Sequence, residues 1–406
     1  MNQPHLPEVL DLSGELFHTD QYATYREILE QRPVTKVRFY DGSFVWLVNR
    51  YEDVRAALSD DRLSNDPTKQ SDIDLSAATG IPADLVEYFQ RNMFRSDEPD
   101  HGRLRKLVSR EFTMRRINAL RPRIQEIAED LVEKFAATGG GDLVAALARP
   151  LPLTVMCELL GVPEEDRTDF QIWSSHVVES DPTFAERNAV SYRSLFECIR
   201  SLIHRRRDEP GDDLLSALVA LRDSGDGDRL SEDELISTAF LLLVAGIETT
   251  VNVLGTGSFL LLSHADQLAR LRADDGLSGS AVEEILRYMA PIEMTTRHTL
   301  EPVEIGGASI DAQSTVLINL AAANRDPARF PDPQSFRVDR NDGSHLTFGH
   351  GIHYCLGAAL ARAEAEVFFD VLLKRFPTLE LAVPTEELTW RHVFMRGPLE
   401  LPVSWR

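Results

Sequence analysis

The residues of this chain that could do chemistry fall into a few short segments. One reads Phe348-Gly349-His350-Gly351-Ile352-His353-Tyr354-Cys355-Leu356-Gly357, a cysteine among closely spaced glycines, just before an apolar, helix-like run from Leu356 to Phe369. A thiolate is a strong, electron-rich metal ligand, and a helix N-terminus stabilises it through free backbone N–H groups and the dipole. Glycines let such a loop lie flat against something large and planar. A lone cysteine in a turn is ordinarily a buried structural thiol. The whole decapeptide argues for a ligand instead.

A second segment, Ala245-Gly246-Ile247-Glu248-Thr249-Thr250, sits inside an otherwise apolar stretch. A mid-helix glycine costs about 1 kcal/mol against alanine. A Thr249 hydroxyl bonded to the Ala245 carbonyl four residues back would bend the helix and open a groove. An acid beside an ordered hydroxyl meets the needs of a proton relay; the plainer reading is a solvated stripe. A third segment, Glu284-Ile285-Leu286-Arg287, places an acid and a base on one helical face. On a surface such a pair would mean little.

The cysteine segment resembles the haem-binding loop of the cytochrome P450 family, Phe-x-x-Gly-x-His-x-Cys-x-Gly, at Phe348, Gly351, His353, Cys355 and Gly357. The resemblance implies haem b (iron protoporphyrin IX) with Cys355 as its axial thiolate, a ligation that favours O–O cleavage. Phe348, Gly349, His353 and Gly357 would then line the cofactor. It makes Glu248 and Thr249 the acid–alcohol pair of oxygen activation, with small Ala245 and Gly246 leaving room at the haem face. It makes Glu284 and Arg287 a structural pair completed by Arg340. Haem carries two propionates, and the resemblance assigns them His101, Arg105, Arg297 and His353. Arginine suits that task because its planar fork binds a carboxylate bidentately.

The elements that must position these groups are mostly helical. Val37–Tyr40 and Phe44–Val48 read as a hairpin about Asp41-Gly42-Ser43. Helical patterns follow over Tyr51–Leu58, His101–Arg110, Pro122–Ala136, Leu151–Leu160, Pro163–Val178, Thr183–Arg207 and Leu214–Leu221. Ser231 and Glu234 form a capping box that opens a helix running to about Ser263. Ser280–Tyr288 and Leu356–Arg375 are the last helices, with short β-like runs from Glu301 to Leu320 between them. Asp60–Arg95 reads largely as loop. The expected fold is therefore mainly α with small β elements. In the resemblance it is a P450 fold, with haem between the long oxygen-binding helix and the cysteine-loop helix.

No linker, repeat or low-complexity tract divides residues 1–406, so one domain is expected. The formal charge of −22 argues against nucleic acid and anionic membrane as partners. Three cysteines, Cys157, Cys198 and Cys355, give no disulfide framework and fit a reducing, cytoplasmic setting. The first residues carry no secretory pattern, and the apolar run Ala239–Ile247 is too short to span a bilayer.

Taken with the resemblance, these readings lead to a soluble, monomeric haem–thiolate monooxygenase. It would insert one atom of O2 into a C–H or C=C bond of a lipophilic secondary metabolite: a polyketide or macrolide, a terpenoid or a steroid. Met93, Phe94, Leu243, Ile292, Met294, Val393 and Phe394 are the expected pocket residues. Asp72, Asp74, Asp84 and Glu87 could attract a cationic amino sugar, although a solvated loop is the preferred reading. No flavin or nicotinamide motif is visible, so electrons would come from NAD(P)H through a ferredoxin reductase and an acidic ferredoxin. That ferredoxin would dock on Arg103, Lys106, Arg110, Arg115, Arg116, Arg121 and Arg123. Two other readings are a peroxide-driven oxygenase, against which the intact Glu248-Thr249 counts, and a non-enzymatic haem gas sensor or carrier.

Overall fold

The capping box at Ser231 starts the helix around which the molecule is organised. In the computed structural model, which describes residues 6–14, 16, 17, 21–70, 76, 80–110, 112–177, 184–223, 229–391 and 394–406, this helix spans Glu232–Ser263. The Ser231 hydroxyl accepts from the Glu234 N–H at 3.1 Å, and the Glu234 carboxylate accepts from the Ser231 N–H at 2.7 Å. Its 32 residues extend about 48 Å. The helix is long and apolar enough to cross a membrane, but most of it is buried by the rest of the fold, as a core helix is. The helices Pro150–Leu159, Ala185–Asp208, Ser278–Tyr288 and Ala358–Arg375 all pack against it. Gly257 permits the last of these to press in: a Cβ there would sit 2.4 Å from the Phe369 ring.

A six-stranded sheet lies beside the helices, in the order Leu10–Asp11, Val34–Arg38, Phe44–Val48, Thr315–Asn319, Met294–Thr299, Leu63–Ser64. The expected hairpin forms, with Gly42 at φ +83° in its turn. Its first strand lies earlier than expected, because the register pairs Arg38 with Phe44 and gives Phe39–Ser43 to the turn. The helix expected to begin at Pro122 instead runs Met114–Ala136, with Thr113 as its N-cap. Pro122 and Asn118 are both exposed, so the carbonyl that loses its partner to the proline can be solvated. The stretch expected as loop carries the helix Val86–Gln90 and the tight turn Met93–Arg95.

Candidate active site

The cysteine loop closes on itself through the Cys355 N–H, which donates to the Phe348 carbonyl at 2.8 Å. Gly349 and Gly351 take φ +73° and +72°, a region that disfavours any side chain. Gly357 N-caps the helix Ala358–Arg375, and a Cβ there would meet nothing within 4 Å, leaving one side of the loop open. The Phe348 ring packs under the Arg362 guanidinium at 4.4 Å. Cys355 keeps an exposed surface, while the crowding of its sulfur pushes the thiol pKa up. The N–H groups of Gly357 and Ala358 and the charges of Arg105 and Arg362 pull the other way. A bound metal ion would deprotonate such a thiol outright.

Next to this loop the fold gathers four basic groups. His101, on the helix Asp100–Ser109, is 1% exposed, and neither ring nitrogen has a hydrogen-bond partner. Its nearest carboxylate is Glu98, 3.5 Å from Nδ1 without hydrogen-bond geometry. The His353 ring lies 4.3 Å from that of His101, and burial together with the charges of His101 and Arg297 pushes its pKa down to about 3. Arg297 is buried on the strand Met294–Thr299, donates to Thr295 Oγ1 and the Thr296 carbonyl, and is pushed down to about 10 by burial. Arg105 donates to the Tyr354 carbonyl at 2.6 Å, and burial also lowers its pKa. Buried cations are ordinarily paired. A dianionic cofactor beside Cys355 would pair with the Arg105 and Arg297 cations and accept hydrogen bonds from the neutral His101 and His353 rings, so these residues fit a haem and its two propionates.

On the central helix the Thr249 hydroxyl donates to the Ala245 carbonyl at 2.7 Å, as its spacing predicts. Ala245 is exposed on the same face. Glu248 is 2% exposed and held from both sides: Arg149 donates to Oε1 at 2.6 Å and Arg391 to Oε2 at 3.0 Å. Sequence reasoning missed both arginines, which lie 99 and 143 residues away from Glu248 with no local motif to mark them.

Gly246 also packs against the helix Pro150–Leu159: a Cβ there would lie 2.8 Å from Met156 Sδ. One expectation for this helix is corrected. Leu243 is fully buried in the core, and the partly open positions beside Ala245 are Leu241 and Val244.

Glu284, Arg287 and Arg340 come together as expected. Arg287 donates to the Glu284 carboxylate at 2.7 and 2.9 Å, and Arg340 Nε donates to it at 3.1 Å. All three side chains are at most 3% exposed.

Of the other expected pocket residues, Met93 is buried and Phe94 exposed. Ile292 is half-buried and bridges to Met395 in antiparallel fashion. Met294 and Phe394 turn toward the N-terminal layer, lining a cavity of about 20 Å³ with Phe17, Tyr25 and Glu293. The Glu293 N–H donates to the Phe394 carbonyl and holds the two segments together. Val393 lies outside the described residues. Asp84 pairs with Arg193 and Glu87 with Arg91, so neither is free for a cationic ligand; Asp72 and Asp74 lie outside the described residues. Within the basic stretch, Arg103, Arg121 and Arg123 are paired to Glu234, Glu366 and Glu158. Cys157 and Cys198 are pushed up to about 12 and about 11 by burial, as inert thiols are.

Comparison with known proteins gives consistent results. The cytochrome P450 family model matches residues 277–401. The chain is 49% identical to 6-deoxyerythronolide B hydroxylase of Saccharopolyspora erythraea over 399 residues, 97% of this chain and 98% of that protein. It is 47% identical to the cytochrome P450 monooxygenase PikC of Streptomyces venezuelae, over 98% of this chain and 95% of the other. Among solved structures it is similar to the bacillaene polyketide synthase cytochrome P450 PksS of Bacillus subtilis 168. That match has a TM-score of 0.90 and 38% identity, and covers 97% of this chain and 98% of that one.

Proposed function

The chain belongs to the cytochrome P450 family, and from that premise we propose how its residues divide the work. It is a haem–thiolate monooxygenase. Cys355 ligates the iron of haem b, and His101, Arg105, Arg297 and His353 hold the propionates. The chemistry that a bound haem supplies is reductive activation of O2, one atom entering the substrate and the other leaving as water. The observation that carries the cofactor assignment is the cluster of four basic groups, none hydrogen-bonded to a carboxylate among the described residues, beside an exposed cysteine.

The chain's own residues manage protons and position. Thr249, anchored through its hydroxyl to Ala245, keeps its oxygen lone pairs for a water or reacting oxygen at the helix face. Glu248 passes protons inward from solvent and must leave one arginine to do so. Glu284, Arg287 and Arg340 brace the segment before the cysteine loop and take no part in chemistry. The residues 1–406 act as one domain, a soluble cytoplasmic monomer.

The substrate is a lipophilic polyketide-type molecule, in line with relatives named for 6-deoxyerythronolide B and for a polyketide synthase. Electrons arrive from NAD(P)H through a reductase and a ferredoxin that docks on the face bearing Lys106, Arg110, Arg115 and Arg116. Charge reversal at Arg110 and Arg116 is expected to weaken ferredoxin-driven turnover and its salt dependence; unchanged turnover and salt dependence would refute the docking face. Turnover with NADPH, reductase and ferredoxin, compared with peroxide alone, tests the whole reading. Product with the reductase system and little with peroxide supports it. Product with peroxide alone, or none with either, rules it out.

A further inference from the structure

We propose that Arg95 is a specificity residue that receives a carboxylate of the substrate, an inference that rests on the monooxygenase reading and on Met93 and Phe94 as its expected pocket residues. Arg95 ends the tight turn Met93–Arg95. Asn92 fixes that turn: its Oδ1 accepts from the N–H groups of Phe94 and Arg95 at 3.0 and 3.2 Å. Its Nδ2 donates to the Phe89 carbonyl and to Ser237 Oγ on the central helix, at 2.9 and 3.1 Å. The arginine is thus presented from a base clamped to the helix that carries Thr249.

The side chain itself is half-buried and without an anion. Its guanidinium lies 5.6 Å from the centroid of the exposed Phe94 ring. It stands near enough to Tyr192, on the helix Ala185–Asp208, and to His298, on the strand Met294–Thr299, to act on both electrostatically. Among the described residues it donates no side-chain hydrogen bond and forms no ion pair, and burial pushes its pKa down. Arg91, Arg193 and Arg103 differ from it in being paired, with Glu87, Asp84 and Glu234.

Arg95 borders the propionate cluster, since it and Arg297 both act on His298. A partly desolvated planar cation with five free donors, beside an aromatic ring, is built for bidentate capture of a carboxylate. Ser237, the anchor of the turn, lies twelve residues before Thr249, about 18 Å along the helix. The group that Arg95 would recognise is therefore an acidic end of the substrate. This favours a long lipophilic acid over a substrate carrying a cationic amino sugar.

The test uses the haem-loaded enzyme and three probes of one chain length: dodecanoate, methyl dodecanoate and dodecyltrimethylammonium. Each is titrated by its substrate-induced spin-state change. The reduced carbon monoxide spectrum of every protein is recorded first, so failure of the haem–thiolate reading is seen separately from failure of this proposal. Wild type is expected to bind dodecanoate about 10- to 100-fold more tightly than the methyl ester. Arg95→Gln should abolish that preference, and Arg95→Glu should turn it toward the trimethylammonium probe. Wild type without a preference for dodecanoate, or variants that keep the wild-type ratio, would overturn the proposal. So would a loss of haem retention in Arg95→Gln with the ratio unchanged, which would place Arg95 among the propionate partners.

Discussion

Glu248 is the residue whose structural setting departs most from its expected task, and it supports a quantitative prediction. A carboxylate that relays protons has to move, yet this one is buried and gripped at both oxygens by Arg149 and Arg391. A hydrogen bond to a charged group contributes about 1.5–3 kcal/mol. Releasing one arginine therefore lowers the population of the mobile carboxylate by about 10- to 150-fold, since each 1.4 kcal/mol is tenfold. Two variants separate relay from scaffold. Glu248→Gln removes the transferable proton and is expected to cut coupled product formation by about 100-fold, within the range for a lost general acid. It should also raise the solvent deuterium isotope effect on turnover. Arg391→Met leaves Glu248 with one arginine, makes release easier, and should lower the isotope effect without a comparable loss of rate. The assay is product formed per NADPH consumed, in H2O and in D2O. If Glu248→Gln lowers only the unfolding midpoint, with rate, coupling and isotope effect at wild-type values, the residue is a structural ion-pair partner and the relay is refuted.

Three further outcomes follow from other parts of the site. Thr249→Ala should keep NADPH consumption while product falls and peroxide or water accumulates; fully coupled turnover would contradict its placement at the reacting face. Glu284→Gln leaves two buried arginines without their carboxylate and should cost about 3–5 kcal/mol, seen as a lower denaturant midpoint and faster haem loss. Glu293 is pushed up to about 7 by burial, against the pull of Arg396 and Gln21. A carboxyl raised in the folded state contributes stability that is full below its unfolded pKa and lost as pH rises through 7. The melting temperature of wild type relative to Glu293→Gln should therefore fall between pH 5 and pH 8; a constant difference would show that Glu293 does not titrate there.

What was legible in the sequence was local. The capping box of Ser231 and Glu234, the Asp41-Gly42-Ser43 turn and the cysteine loop each carry their signal within a few residues, and each forms. The Thr249 bond to Ala245 follows from helix spacing alone. The rotational phase of the central helix was not legible. Successive residues point about 100° apart, so an apolar run does not say whether Leu243 or Val244 faces the open side. Burial by neighbouring helices decides it. The packing of Gly246 on Met156 had no sequence mark either, since Met156 lies on another helix. Arg149 and Arg391 had no sequence mark because they reach Glu248 only through the tertiary fold. Met294 and Phe394 pack toward the N-terminal layer, a contact between distant segments that position along the chain does not mark.

The central claim is that Cys355 supplies the thiolate to haem iron. Its most direct test is the absorption spectrum of the reduced carbon monoxide complex, recorded for wild type and for Cys355→Ser. The account predicts the thiolate-type band in wild type and its complete loss in the variant. A thiolate-type band that survives in Cys355→Ser would contradict it.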